Sequence, residues 1–315
     1  MKKTTRREVI ALIKKSKTPL KLDWTNLVKI KLKNLNLDSA SFKYAELIFT
    51  KFQGSSLKKT NFNHSNMPFA RLSNVDLTGA KLDKANIEHS VINKSNLTKA
   101  SFKASNLFGA FLLESELAKT KFVGANMELA VLCDSNAESA NFQKANLERA
   151  ALSNANFKGA NFEGANLEEA SFIGSNLENT NFTNVNLHEV NFSFTDLHNS
   201  NLLNTDLSTA TLDRTKIDRH AFGFKTREDI TTYIANNSGL LNLEKEQLSG
   251  LDLSNLNLAG TNFKNANLKY TDLSNSDLTG VNFEGAHLLG CELKNAILIN
   301  VIGATFSHSD VGKST

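Results

Sequence analysis

The residues able to do chemistry are present, but they are badly spaced for it. Seven histidines (His64, His89, His188, His198, His220, His287 and His308) are scattered, and no Cys/His or carboxylate set has metal-ligand spacing. Glu168 and Glu169 are adjacent carboxylates in an acidic stretch, where their expected role is solvation. Cys133 and Cys291 fall in different segments, so a disulfide is not expected and a reducing compartment is. No Gly-rich phosphate loop and no nucleophile motif occurs. The expectation is a non-enzyme that needs no cofactor and no metal. Binding is the remaining chemistry, and its first candidates are the crowded cations Lys14, Lys15, Lys17, Lys29, Lys31 and Lys33. Its second candidates are apolar residues whose placement depends on the fold.

From Ala40 to Ile217 one five-residue phrase recurs without a break, as in Ala155-Asn156-Phe157-Lys158-Gly159 and Ala160-Asn161-Phe162-Glu163-Gly164. With the large apolar residue as its centre, all 36 centres from Phe42 to Ile217 are Leu, Phe, Ile or Met except Ala137. Two residues before each centre stands Ala, Ser, Thr or Val, and the residue between is Asn or Asp in 20 of the 36. A period of five fits neither a helix nor a flat strand, so a repeat architecture is required. If each pentapeptide is one side of a coil, the small residue and the centre point inward. Small and large residues alternating there fill a narrow interior without overpacking it.

The same geometry predicts a 20-residue vertical register. Phe42, Phe62, Phe102, Phe122, Phe142, Phe162, Phe182 and Phe222 share it, interrupted only by Leu82 and Leu202. Stacked rings of this kind form a ladder through the core. The asparagines before the centres are expected to hydrogen-bond along the stack and to nearby backbone rather than to a ligand. With these residues in view, the chain resembles the pentapeptide-repeat proteins, whose phrase is small residue, Asn/Asp, Leu/Phe and two variable residues. The resemblance implies an all-β, right-handed quadrilateral β-helix, a scaffold on which members of the family do many different things.

Two modules are expected. Thr4 to Lys17 reads as a short basic helix covering the first coil, whose open strand edge invites association. Thr226 to Gly239 breaks the pentad period and copies the opening at an offset of 221 residues: Arg227 matches Arg6, Ile230 matches Val9, and Phe263 matches Phe42. The expected division is therefore 1–222, a helix plus about ten coils, and 223–315, a second helix plus about three coils and a polar tail. No apolar run reaches the length of a membrane span and the N-terminus has no apolar leader, so the expectation is a soluble cytoplasmic protein. The alternative is an effector secreted into a host cell.

Charge is uneven along the chain. Residues 1–60 hold 15 Lys/Arg against 4 Asp/Glu, whereas residues 122–222 hold 6 against 13. Outward positions should be polar, so apolar ones there are informative. Ile48, Phe49, Pro68, Phe69, Phe108 and Leu129 are expected outward on one side, and Val91, Phe111, Leu113, Val131 and Cys133 on the next. They would form one patch, covered by the second module or offered to a protein partner or a second copy. The leading functional expectation is a protein–protein interaction scaffold with Ile48, Phe49, Phe69, Phe108, Phe111 and Leu113 as its surface. The resemblance also implies an alternative, a DNA-mimicking modulator of a type II topoisomerase such as DNA gyrase. The basic first half departs from that pattern, and no apolar C-terminal helix follows the last coil. A further alternative is nucleic-acid or anionic-surface binding through the basic end, with affinity falling as salt rises. Trp24 is the one nearby aromatic expected there, so nucleic acid is not the favoured partner.

Overall fold

The computed structural model describes residues 4–15, 19–202, 205–207, 209–216 and 226–304. Its backbone pairs in parallel with itself at a fixed separation of 20 residues, from Lys21↔Ser41 to Asp196↔Lys216 and again from Asn242↔Asn262 to Asn282↔Ile302. Four pentapeptides therefore complete one coil, and every coil repeats the same local events. The centre's amide donates to the next coil, as Phe122 N does to Asn141 O at 2.7 Å, while Asn141 N donates back to Thr120 O at 2.9 Å. After the centre the chain turns, and Ala125 N closes the turn on Phe122 O at 3.0 Å. The second turn residue has positive φ whether or not it is glycine: Phe49 is at 57°, Lys99 at 60° and Trp24 at 58°. Each such non-glycine residue costs about 1–2 kcal/mol. The chain tolerates this at position after position because the ladders above and below fix the turn.

The interior is what the alternation of small and large residues demands. Phe42, Phe62, Phe102, Phe122, Phe142, Phe162 and Phe182 are fully buried. Phe142 stacks on Phe162 with ring centres 4.7 Å apart and planes 4° apart, and Phe162 stacks on Phe182 at 5.3 Å. Phe222 of the expected column lies outside the described residues. Where the small inward residue is Ser or Thr, its hydroxyl is satisfied by a carbonyl of the preceding coil: Thr50 donates to Leu27 O, Ser95 to Leu72 O and Thr120 to Leu97 O, each at 2.8 Å. Cys291 fills the same kind of position and donates to Leu268 O at 2.7 Å.

Two helices interrupt the coils, α1 (Arg6–Lys15) and α2 (Arg227–Asn236). Each begins with a reciprocal cap. Thr5 N donates to the Glu8 carboxylate and Glu8 N to Thr5 Oγ1, and Thr226 and Asp229 repeat the exchange. Arg6 donates to Lys31 O at 2.8 Å, and Arg227 to Asp252 O at 3.2 Å, each 25 residues ahead. Val9 and Ile230 are the fully buried residues of the two helices.

The chain divides into two compact units, Met1–Ser200 with Thr209–Lys216, and Asn201–Ser208 with Ile217–Thr315. The pentad pattern runs to Ile217, yet Leu207 is only half-buried and Leu212 is 37% exposed. No described residue bridges onward from Thr211 or Lys216, so these late centres lack the following coil that would cover them. In the second unit the centres Leu243 to Phe283 are fully buried, and Phe263 stacks on Phe283 at 5.4 Å.

Candidate functional site: an apolar strip with charged ends

Residues 20 positions apart stack in columns, and most outward columns are polar. The clearest runs from Glu46 through Asn66, Asn86, Asn106, Asn126, Asn146 and Asn166 to Asn186. Each asparagine Nδ2 donates to the side-chain oxygen one coil earlier, at 2.8 to 3.4 Å. The Oδ1 atoms also accept from the turn amides two residues ahead, as from Glu128 N at 3.3 Å. This column is closed on itself, with a carboxylate accepting at its first rung.

The neighbouring columns are different. Phe49 and Phe69 stack face to face at 5.1 Å, His89 continues the stack at 5.4 Å, and Phe108 meets His89 edge-on. His89 lies across Gly109, where an added Cβ would come within 2.6 Å of the imidazole. That glycine is required for space as well as for its positive φ. Phe49, Phe69, Phe111 and Leu129 are between 40% and 45% exposed. Ile48, Pro68, Val91, Phe108, Leu113, Val131 and Cys133 are half-buried. Val91, Phe111 and Val131 are joined by bridges in one column. The apolar residues expected outward thus form one continuous strip with accessible side chains.

Its ends carry opposite charge. Lys29, Lys31, Lys33, Lys51 and Arg71 occupy the first coils, and among the described residues none of them is in an ion pair. Lys29 Nζ sits 5.9 Å from the Phe49 ring centre. At the other end are Glu128, Glu148, Glu168, Glu169 and Glu189, with Arg149 as the cation among them. Arg149 holds Glu169 bidentately, both contacts at 2.9 Å. The hydrogen bonds from Arg149 lower the Glu169 pKa and raise that of Arg149.

Lys14 and Lys15 are exposed at the end of α1, while Lys17 lies outside the described residues. The expectation that Trp24 has no aromatic company is corrected. Trp24 stacks on Tyr44 at 4.2 Å, and Tyr44 on His64 at 4.8 Å, in an outward column. These rings lie at the turn position of successive coils, a register as regular as that of the buried Phe column. Reading outward columns as well as inward ones at a spacing of 20 would have found them. Their faces are spent on one another. His64 and His89 are therefore members of aromatic stacks rather than solvated singly. Among the described residues no group of three His, Cys, Asp or Glu could hold a metal ion, and no helix is long and apolar enough to cross a membrane.

Compared with known families, residues 21–58, 55–93, 95–134, 112–149, 247–285 and 276–311 match the Pentapeptide repeats (8 copies), and residues 145–222 match the Pentapeptide repeat region. The chain belongs to the pentapeptide-repeat family. None of the curated proteins matches it by sequence. Among solved structures it is similar to HetL, a pentapeptide repeat protein involved in heterocyst differentiation regulation from the cyanobacterium Nostoc sp. strain PCC 7120. Identity is 22% over 96% of this chain and 100% of that one, with a TM-score of 0.29. It is also similar to QnrB1, a plasmid-mediated fluoroquinolone resistance protein, at 15% identity over 62% of this chain and 94% of that one, with a TM-score of 0.39. Rfr23 from the cyanobacterium Cyanothece 51142 is 20% identical over 61% and 91%, with a TM-score of 0.20. With every TM-score below 0.5, the family assignment rests on the repeat matches.

Proposed function

We propose that this protein is a non-enzymatic protein–protein interaction scaffold, whose binding surface is the strip bearing Ile48, Phe49, Phe69, Phe108, Phe111 and Leu113. We take its coil to be right-handed and four-sided, in two segments each opened by a helix. One observation carries the functional reading: these rings stay accessible on a stack whose inward columns and asparagine column are already satisfied. Exposed, contiguous apolar area beside polar columns marks an interaction surface. Aromatic side chains are also the residue type on which interface energy concentrates.

The test is the double substitution Phe108→Ser/Phe111→Ser. Both side chains point outward, so unfolding free energy should stay within about 1 kcal/mol of wild type. Binding or self-association should be lost. A collapse in stability would make the two rings part of the core and remove the reading.

A further inference from the structure

The strip is self-complementary. It is basic in its first three coils, apolar in the middle, and acidic from Glu128 to Glu189. In the middle, the charges Lys94 and Glu114 neutralise each other at 3.4 Å. A surface with this order of charge has one arrangement that satisfies both ends at once, namely a copy of itself running the other way. A parallel copy would set Lys29, Lys31 and Lys51 against their own equivalents, and like charges brought together at an interface are repulsive.

We propose that the strip is an isologous dimer interface between two antiparallel copies of this chain, an inference that rests on reading the strip as a protein-binding surface. The two-fold axis lies in the interface, perpendicular to the stack, and crosses the strip between Val91 and Phe111. Residues of one column then face residues of the same column in the second copy. Phe69 meets Leu129, Val91 meets Phe111, Phe49 meets the Arg149 guanidinium, and Lys29 meets Glu169. Guanidinium over an aromatic face is itself attractive. Eight coils separated by about 4.8 Å make a strip of some 35 to 40 Å. A width of roughly 20 Å gives about 800 Å² per partner, the size of a standard specific interface. Closed two-fold pairing also stops at two, which is the safe way to cover a long apolar face without building fibres.

The experiment is a charge swap on the full chain, read by sedimentation or light scattering at tens of micromolar. Wild type should have twice the chain mass at low salt and shift toward monomer as salt shortens the screening length. The chain carrying Lys29→Glu, Lys31→Glu and Lys51→Glu is acidic at both ends and should be monomeric. The chain carrying Glu148→Lys, Glu168→Lys and Glu169→Lys is basic at both ends and should also be monomeric. Mixed one to one, the two should restore the doubled mass as a heterodimer. Far-ultraviolet circular dichroism on each chain checks that the surface changes leave the fold intact. A monomeric wild type overturns the dimer, as does a dimer indifferent to both reversals or two reversed chains that do not pair. The broader reading fails separately: if the wild type is monomeric and Phe108→Ser/Phe111→Ser costs no binding to any protein, the interaction surface falls too. If that double variant does lose a protein ligand while the wild type is monomeric, only the dimer falls.

Discussion

The asparagine column from Asn66 to Asn186 and the column from Lys31 to Val131 stand five residues apart on the same coils, with the same backbone bridges. In the first, every side chain finds its partner one coil away. In the second, cations give way to Val91, Phe111 and Val131, and none of these has a side-chain hydrogen bond to make. The backbone is satisfied by the coil in either case. Outward side chains therefore add nothing the backbone requires, and they divide into columns that close on themselves and columns that remain open. Closed columns serve the stack, and open ones are where a second molecule can gain something.

The comparison breaks first at the inward columns, which are closed by packing. Phe142 stacks on Phe122 at 5.0 Å and on Phe162 at 4.7 Å. Phe142→Ala would open a cavity between two rings held by their own coils, and it should cost about 3–5 kcal/mol in denaturant unfolding. A loss under about 1 kcal/mol would mean the ring column is not what holds the coils in register.

A middle effect is expected in the asparagine column. Asn126→Ala removes the donation to Asn106, the acceptance from Asn146, and the turn bond from Glu128 N. Each such bond contributes about 0.5–1.5 kcal/mol net, and partial exposure lets water replace part of it, so a loss of roughly 1–2 kcal/mol is expected. Phe111→Ser, five rungs into the open strip, should change stability by about 0.5 kcal/mol or less. Equal losses at the two positions would erase the distinction between closed and open columns.

Most of this division was legible in the sequence. The five-residue period placed Phe62, Phe122 and their column inward, and the copy of Arg6 and Val9 at Arg227 and Ile230 placed both helices. The apolar strip followed from asking which outward positions are not polar. Three things were not legible. Turn chemistry usually demands Gly or Asn at positive φ, yet here Phe49, Lys99 and Trp24 adopt it because coils on both sides impose it. The Trp24–Tyr44–His64 stack was missed because each ring alone looks like an isolated surface residue. The late centres Leu207 and Leu212 match the pattern perfectly and are still poorly covered, since a pentad is buried only when another coil follows it.

The smallest expected effect lies at the acidic end of the strip, which is partly closed. Arg149 hydrogen-bonds Glu169 and lowers its pKa below the ordinary 4.5, against the opposing pull of desolvation. The folded-state pKa is depressed, so whatever stability the pair contributes is present above the unfolded value near 4.5 and is lost as pH falls through the lower folded value. Both groups are exposed, and an exposed pair of this kind barely moves the melting temperature. The measurement is instead a carboxyl-carbon NMR titration of Glu169 in the wild type and in Arg149→Gln. Removing the guanidinium should move the Glu169 midpoint upward toward 4.5. An unchanged midpoint would mean Arg149 does not hold Glu169 in solution, and the acidic end would then be as open as the basic end, where Lys29, Lys31 and Lys51 have no carboxylate beside them. The charge-swap result bears on the same point, because an Arg149 released from Glu169 is free to lie over Phe49 of a second copy.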